Sequence, residues 1–213
     1  MSASSYEITL VLGGSRSGKT SFAEKLALEQ GRSRRGEGDA GLGRVERGKY
    51  VYVATCPFGI DEEMDGRIAR HREERSPEFT TVENRLDLAG IAHDYAGSTL
   101  LLDCLTLWIS GYQHQGLSSE LILSKLRQDL TESRSKADWV IVSNEVGMGI
   151  VPLGRETREF RDISGWANQL VAELASRVYL VIAGIPWLLK SPDEERGRKP
   201  PALGTDLLVE RPH

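Results

Sequence analysis

The residues with the clearest chemical potential are Gly13-Gly14-Ser15-Arg16-Ser17-Gly18-Lys19-Thr20, which fit the pattern Gly, any four residues, Gly-Lys-Ser/Thr. Glycines at that spacing let successive backbone N–H groups turn inward onto phosphate oxygens, and the positive end of a following helix favours the anion. Lys19 is then expected to reach the β and γ phosphates of a nucleoside triphosphate. Thr20 offers a hydroxyl to the Mg²⁺ that such a ligand carries. A metal shell of this kind draws on an acidic residue at the end of a buried strand. Leu100-Leu101-Leu102-Asp103 supplies one, and Glu145, after Val140-Ile141-Val142, supplies a second candidate; Asp103 is favoured.

A second constellation surrounds His71. Asp61 to Arg75 is predicted as a helix with Asp61 at its cap, and Met64, Ile68 and His71 recur at spacings of four and three, so the imidazole shares a face with apolar residues. Spacing alone favours a packed, hydrogen-bonded histidine over a catalytic one. Arg67, Arg70, Arg72 and Arg75 flank it. They suit a phosphorylated ligand, or equally a solvated helix face paired with Glu62, Glu63, Glu73 and Glu74.

These groups need a scaffold. Ile8 to Leu12 is apolar, β-rich and ends in glycines, and helix formers follow from Ser21 to Glu29, so the Gly-rich loop joins a strand to a helix. Further strands are predicted at Tyr50 to Ala54, Phe79 to Glu83, Thr99 to Asp103, Trp139 to Ser143 and Val178 to Ala183, mostly separated by helical patterns. This is an α/β chain of the P-loop NTPase fold, with a mostly parallel central sheet and helices on both faces. One catalytic domain over residues 1–190 is expected, with a Gly- and Arg-rich flexible insertion at about 31–48 and a disordered, Pro- and charge-rich tail at 191–213.

Composition narrows the function classes. A chain of 213 residues with 39% hydrophobic and 27% charged residues reads as one soluble domain. A formal charge of −4 gives no electrostatic case for a nucleic-acid partner. With two cysteines, no charged-then-apolar leader and no apolar run of membrane-spanning length, the expected setting is the reducing cytoplasm.

Several motifs in order extend the reading: Gly-Gly-Ser-Arg-Ser-Gly-Lys at 13–19, Tyr-Val-Ala-Thr at 52–55, Arg-Ile-Ala-Arg-His-Arg at 67–72, Thr-Val-Glu at 81–83, Leu-Leu-Asp-Cys-Leu-Thr at 101–106, Asn-Glu-Val-Gly-Met-Gly-Ile-Val-Pro at 144–152 and Phe-Arg-Asp-Ile-Ser-Gly at 160–165. Together they resemble the bifunctional adenosylcobinamide kinase / adenosylcobinamide-phosphate guanylyltransferase family over roughly Ile8 to Lys190. The resemblance implies phosphorylation of adenosylcobinamide, then transfer of GMP from GTP to adenosylcobinamide phosphate. It implies His71 as the residue that carries GMP covalently, Thr55, Arg72, Glu83 and Asp103 lining the nucleotide site, GTP and ATP as substrates with Mg²⁺, and a homotrimer. The chain departs from the family pattern after the histidine, with Arg75-Ser76-Pro77 and Phe79 where Arg-Pro and a Trp are common. Two other readings stand beside this one: a P-loop small-molecule kinase in which His71 is structural, and a regulatory GTP-binding protein, which the absence of an Asn-Lys-x-Asp element disfavours.

Overall fold

The computed structural model describes residues 6–35, 50–56, 66, 69, 72–73 and 75–192. Its elements are β1 (Ile8–Gly13), α1 (Lys19–Arg35), β2 (Tyr50–Ala54), β3 (Phe79–Glu83), α2 (Leu88–Asp94), β4 (Thr99–Asp103), α3 (Leu105–His114), α4 (Ser119–Ser133), β5 (Asp138–Asn144), α5 (Arg155–Leu174), β6 (Arg177–Ile182) and β7 (Ile185–Lys190). The strands form one sheet in the order β3-β2-β4-β5-β1-β6-β7. Every pairing is parallel except β6 with β7.

Strand alternation divides the core in two. On β1, Ile8 and Leu10 face one side and Val11 the other, and Leu100/Leu102 against Leu101 on β4, like Trp139/Ile141 against Val140/Val142 on β5, repeat the split. The larger cluster is covered by side chains of α2, α3, α4 and α5, including Leu88, Trp108, Leu126 and Ile163. The smaller one packs under α1 through Ala23 and Ala27. Burial on both faces explains why these strands read as continuous apolar runs.

The segment from Gly31 begins differently from the mobile insertion expected there. Residues 31–35 complete α1. Gly31 is buried so closely that a Cβ would lie 2.6 Å from Tyr50 Cε1 and 2.9 Å from Thr99 Oγ1, which gives a glycine in a helix a packing reason. Arg34 lies over the Tyr6 ring and meets the buried Asp138 at 2.6 Å and 2.8 Å. Residues 36–49 and 193–213 lie outside the described residues. Because Arg34 neutralises a carboxylate that is 5% exposed, Arg34→Ala should lower stability by about 2 kcal/mol in urea unfolding. The Glu7 N–H that also donates to Asp138 limits the loss.

The seventh strand has no counterpart among the predicted strands. Ile185-Pro186-Trp187-Leu188-Leu189-Lys190 carries an internal proline, which argues against a strand unless the strand lies at a sheet edge. It does lie at the edge, antiparallel to β6, with Ile185, Trp187, Leu188 and Leu189 exposed.

Candidate active site

The parallel strands bring Gly13, Ala54, Glu83, Asp103 and Asn144 to one edge of the sheet. Gly13 aligns with Asn144 across β1 and β5, while Ala54 aligns with both Glu83 and Asp103. In an open parallel sheet this carboxyl edge is where ligands bind.

Residues 13–20 form the expected loop between β1 and α1. A side chain at Gly13 would lie 2.5 Å from Ser17 Oγ and 2.7 Å from the Val181 carbonyl, so the loop closes only around a glycine. Gly18 sits at φ 88° and approaches Gly184 of the β6–β7 turn, whose N–H donates to Ser17 O at 2.8 Å. Arg16 takes a left-handed φ of 57°, and Ser15 and Arg16 are exposed. The hairpin thus braces the loop from behind, a contact invisible in the motif itself.

The Lys19 side chain folds back inside this turn. It is 8% exposed, and Nζ donates to Gly14 O at 3.0 Å. Burial lowers its pKa, while the nearby Asp103 carboxylate opposes the shift. Ser17 Oγ is buried with no hydrogen-bond partner among the described residues. A buried hydroxyl without a partner inside a Gly-rich turn, next to a lysine and the first turn of a helix, has the chemistry of a phosphate cradle. Thr20 follows on α1, half-buried.

Asp103 ends β4 and is half-buried. Its Oδ2 accepts a hydrogen bond from the Tyr52 hydroxyl. Burial first, and then the Asp103 charge, raise the Tyr52 pKa, so the phenol stays a donor. The alternative carboxylate, Glu145, turns back on its own loop, accepting from Gly147 N at 2.7 Å, and its N–H donates to Gly13 O at 3.1 Å. Glu145 shapes the 144–152 loop, whereas Asp103 is the carboxylate electrostatically coupled to Lys19. Among the described residues no group of three or more His, Cys, Asp or Glu could enclose a metal. A divalent ion here would therefore be held mainly by phosphate oxygens, with Thr20 and Asp103 at its periphery, which suits the reluctance of Mg²⁺ to shed water.

The remaining expected site residues divide. Thr55 is buried at the end of β2, where its hydroxyl donates to Cys104 O and accepts from Cys104 N, both at 2.8 Å. Its N–H donates to Asp103 O at 3.2 Å. These bonds commit the hydroxyl to holding the β4 end, and with it Asp103, in place. Arg72 and Glu83 meet each other, Nη2 reaching both carboxylate oxygens at 2.5 and 2.6 Å. This pair ties Arg72 to the end of β3. Residues 66, 69, 72 and 73 are helical, in keeping with the helix predicted there, but His71 lies outside the described residues.

Sequence reasoning passed over a polar network beneath the loop. Asn144 Nδ2 donates to Thr106 Oγ1 at 2.9 Å, Asn168 Nδ2 donates to Asn144 O at 3.3 Å, and Ser143 Oγ donates to Asn168 Oδ1 at 2.7 Å. The network joins the end of β5 and the start of α3 to the interior of α5 and fixes the start of the 144–152 loop. Asn144 stood within a recognisable motif, but nothing in sequence pairs it with Thr106 or Asn168.

A mostly parallel sheet sheathed by helices, with a Gly-Lys-Thr loop between the interior strand β1 and α1, defines a P-loop nucleotide-binding α/β protein. The chain belongs to the CobU family, described as cobinamide kinase / cobinamide phosphate guanyltransferase, whose model matches residues 9–189. It is 38% identical over 189 residues to the bifunctional adenosylcobalamin biosynthesis protein CobP of Pseudomonas aeruginosa, covering 85% of this chain and 96% of that protein. It is 33% and 35% identical over 196 residues to the bifunctional adenosylcobalamin biosynthesis proteins CobU of Escherichia coli K12 and Salmonella typhimurium, covering 85% of this chain and 98% of each.

Proposed function

We propose that this chain phosphorylates adenosylcobinamide and then transfers GMP from GTP to adenosylcobinamide phosphate, through a histidine-bound GMP at His71, releasing pyrophosphate and adenosylcobinamide-GDP. The observation that carries the proposal is a complete phosphate cradle, Gly13 to Thr20 with the buried Lys19 and Ser17, in a chain of the cobinamide kinase / guanyltransferase family.

One cradle can serve both reactions. In the kinase step Lys19 and the backbone N–H groups of the loop hold the β and γ phosphates of ATP or GTP while the γ-phosphoryl passes to the aminopropanol hydroxyl. In the second reaction an imidazole nitrogen of His71 attacks the α-phosphorus of GTP; a P–N bond forms, the bond to the β-phosphate oxygen breaks, and pyrophosphate departs into the same cradle. A phosphate oxygen of the corrinoid substrate then displaces the imidazole, breaking the P–N bond. When bound with nucleotide, Mg²⁺ would neutralise charge on the phosphates. Arg72, held by Glu83, is positioned one residue from the nucleophile, which supports a role in orienting the histidine segment.

Purified protein given adenosylcobinamide, MgATP and MgGTP should yield adenosylcobinamide phosphate, then adenosylcobinamide-GDP and pyrophosphate in equal amounts. Phosphate product without the GDP product would favour the simple kinase. Asp103→Asn should raise the Mg²⁺ concentration needed for half-maximal turnover about tenfold with little change in melting temperature, because a metal-shell carboxylate acts only when nucleotide is present. Unchanged metal dependence would remove Asp103 from the shell.

We further propose assembly as a homotrimer in the cytoplasm. Support for assembly comes from exposed apolar side chains on the β6–β7 hairpin, Ile182, Ile185, Trp187, Leu188 and Leu189, and, separately, on the loop after β5, Met148, Ile150, Val151 and Leu153, more exposed apolar side chains than isolated subunits usually leave uncovered. No helix among the described residues is long and apolar enough to cross a membrane. Light scattering would read three times the chain mass; a monomer would overturn the proposed assembly.

A further inference from the structure

Arg75 closes the histidine segment, and its surroundings are unusual for a cation. Its side chain is only 8% exposed, yet among the described residues Nε has no hydrogen-bond partner, Nη1 reaches Thr81 Oγ1 at 3.3 Å, and the carboxylate facing it, Glu83, stands off at 4.0 Å. Glu83 gives its short contacts to Arg72. The close neighbour of the guanidinium is a ring: its carbon lies 3.9 Å from the centroid of Tyr52. Burial of a guanidinium with so few hydrogen bonds is compensated by this cation–π contact, which strengthens where water is excluded.

Tyr52 is itself clamped. It is 1% exposed within the core cluster under α1, and the Phe79 ring meets it edge-on with centroids 6.0 Å apart. Among the described residues its hydroxyl is the side-chain hydrogen-bond partner of the Asp103 carboxylate and takes Oδ2, which leaves Oδ1 for ligand-side contacts. Phe79, Tyr52 and Arg75 therefore form a stack that ends on Asp103. A carboxylate on a strand end otherwise turns freely about its side-chain torsions, and a fixed phenol donor removes that freedom before any ligand arrives.

We propose that Tyr52 and Arg75 are positioning residues for Asp103: the Tyr52 hydroxyl holds the carboxylate in the orientation that receives the metal-bound nucleotide, and the Arg75 guanidinium holds the Tyr52 ring. This rests on the reading of Asp103 as a metal-shell carboxylate, and the test separates the two.

The test is binding, not turnover. A fluorescent GTP analogue is titrated into the full chain with Mg²⁺ and, in parallel, with EDTA; the ratio of the two dissociation constants is the tightening that Mg²⁺ brings. Tyr52→Phe keeps the ring and loses the hydroxyl, and is expected to reduce that ratio about tenfold while the EDTA value stays within about twofold of wild type. Arg75→Met should reduce it about threefold in the wild-type background and not at all in the Tyr52→Phe background, since its influence passes through the hydroxyl. Arg75→Lys, which keeps a cation over the ring, should recover part of the loss.

A purely structural role for Tyr52 would weaken binding equally in both arms and lower the melting temperature, which would overturn the proposal. It would also be overturned if Tyr52→Phe kept the full Mg²⁺ tightening while Asp103→Asn lost it. Equal effects of Arg75→Met in the two backgrounds would remove Arg75 from the chain. Should Asp103→Asn retain the full tightening, the metal-shell reading itself falls, and with it the positioning of Asp103 by Tyr52.

Discussion

Lys19→Ala is expected to lower turnover in both the kinase and the guanylyltransfer reactions by roughly 10³-fold. The proposed function gives the reason in one shared cradle: the ammonium group would stabilise the β and γ phosphates when the γ-phosphoryl leaves, and pyrophosphate when GMP leaves. Its place in the turn, 8% exposed with Nζ on Gly14 O and close to Asp103, leaves no neighbouring cation among the described residues of the loop able to replace it, since Arg16 is exposed. Stability should change little or improve, because the substitution removes a cation whose burial already disfavours its charge. Assays of both half-reactions on one preparation provide the check, and loss of one activity alone would mean that the two reactions do not share a phosphate site.

His71→Ala is expected to separate the reactions. Guanylyl transfer should fall by roughly 10⁴-fold or more, since a covalent route cannot proceed without its nucleophile and the adjacent Arg72 and Glu73 offer no imidazole. The kinase step should keep a substantial part of its rate, because phosphoryl transfer to a hydroxyl depends on positioning and electrostatics that the P-loop and metal supply. Adenosylcobinamide phosphate should then accumulate when the variant is given both nucleotides. Equal loss of both products would assign His71 to the architecture of the whole site.

How far the sequence reveals this site depends on whether each residue's role is local. The phosphate loop is fully legible because its geometry is a property of eight consecutive residues between a strand and a helix. Asp103 is legible because apolar strands end visibly in a charge. Thr55 shows the limit: its motif proposes it for the nucleotide site, but only the parallel pairing of β2 with β4 reveals that its hydroxyl is spent on the Cys104 backbone. Tyr52 shows it more sharply. A tyrosine in a buried strand reads as core, and its bond to Asp103 spans 51 positions.

The scaffold follows the same division. Six strands are readable from β-rich segments, whereas β7 hides behind Pro186, which is tolerated on an edge. The end of α1 hides behind Gly31, which reads as a helix breaker until Tyr50 and Thr99 are seen to need its missing side chain. Asp138, 104 positions from Arg34, turns what looks like a solvated arginine into a partly buried ion pair.

The central claim is a covalent GMP on His71, and labelled GTP tests it most directly. Full-length protein incubated with Mg²⁺ and GTP labelled at the α-phosphate should acquire label that survives base and is lost in acid, since a phosphoramidate hydrolyses once its nitrogen is protonated. GTP labelled only at the γ-phosphate should leave none, and peptide mapping should place the α-label on His71. Label that persists in His71→Ala would assign the nucleophile to another residue, and wild-type protein that never takes up α-label while still forming adenosylcobinamide phosphate would contradict the covalent mechanism.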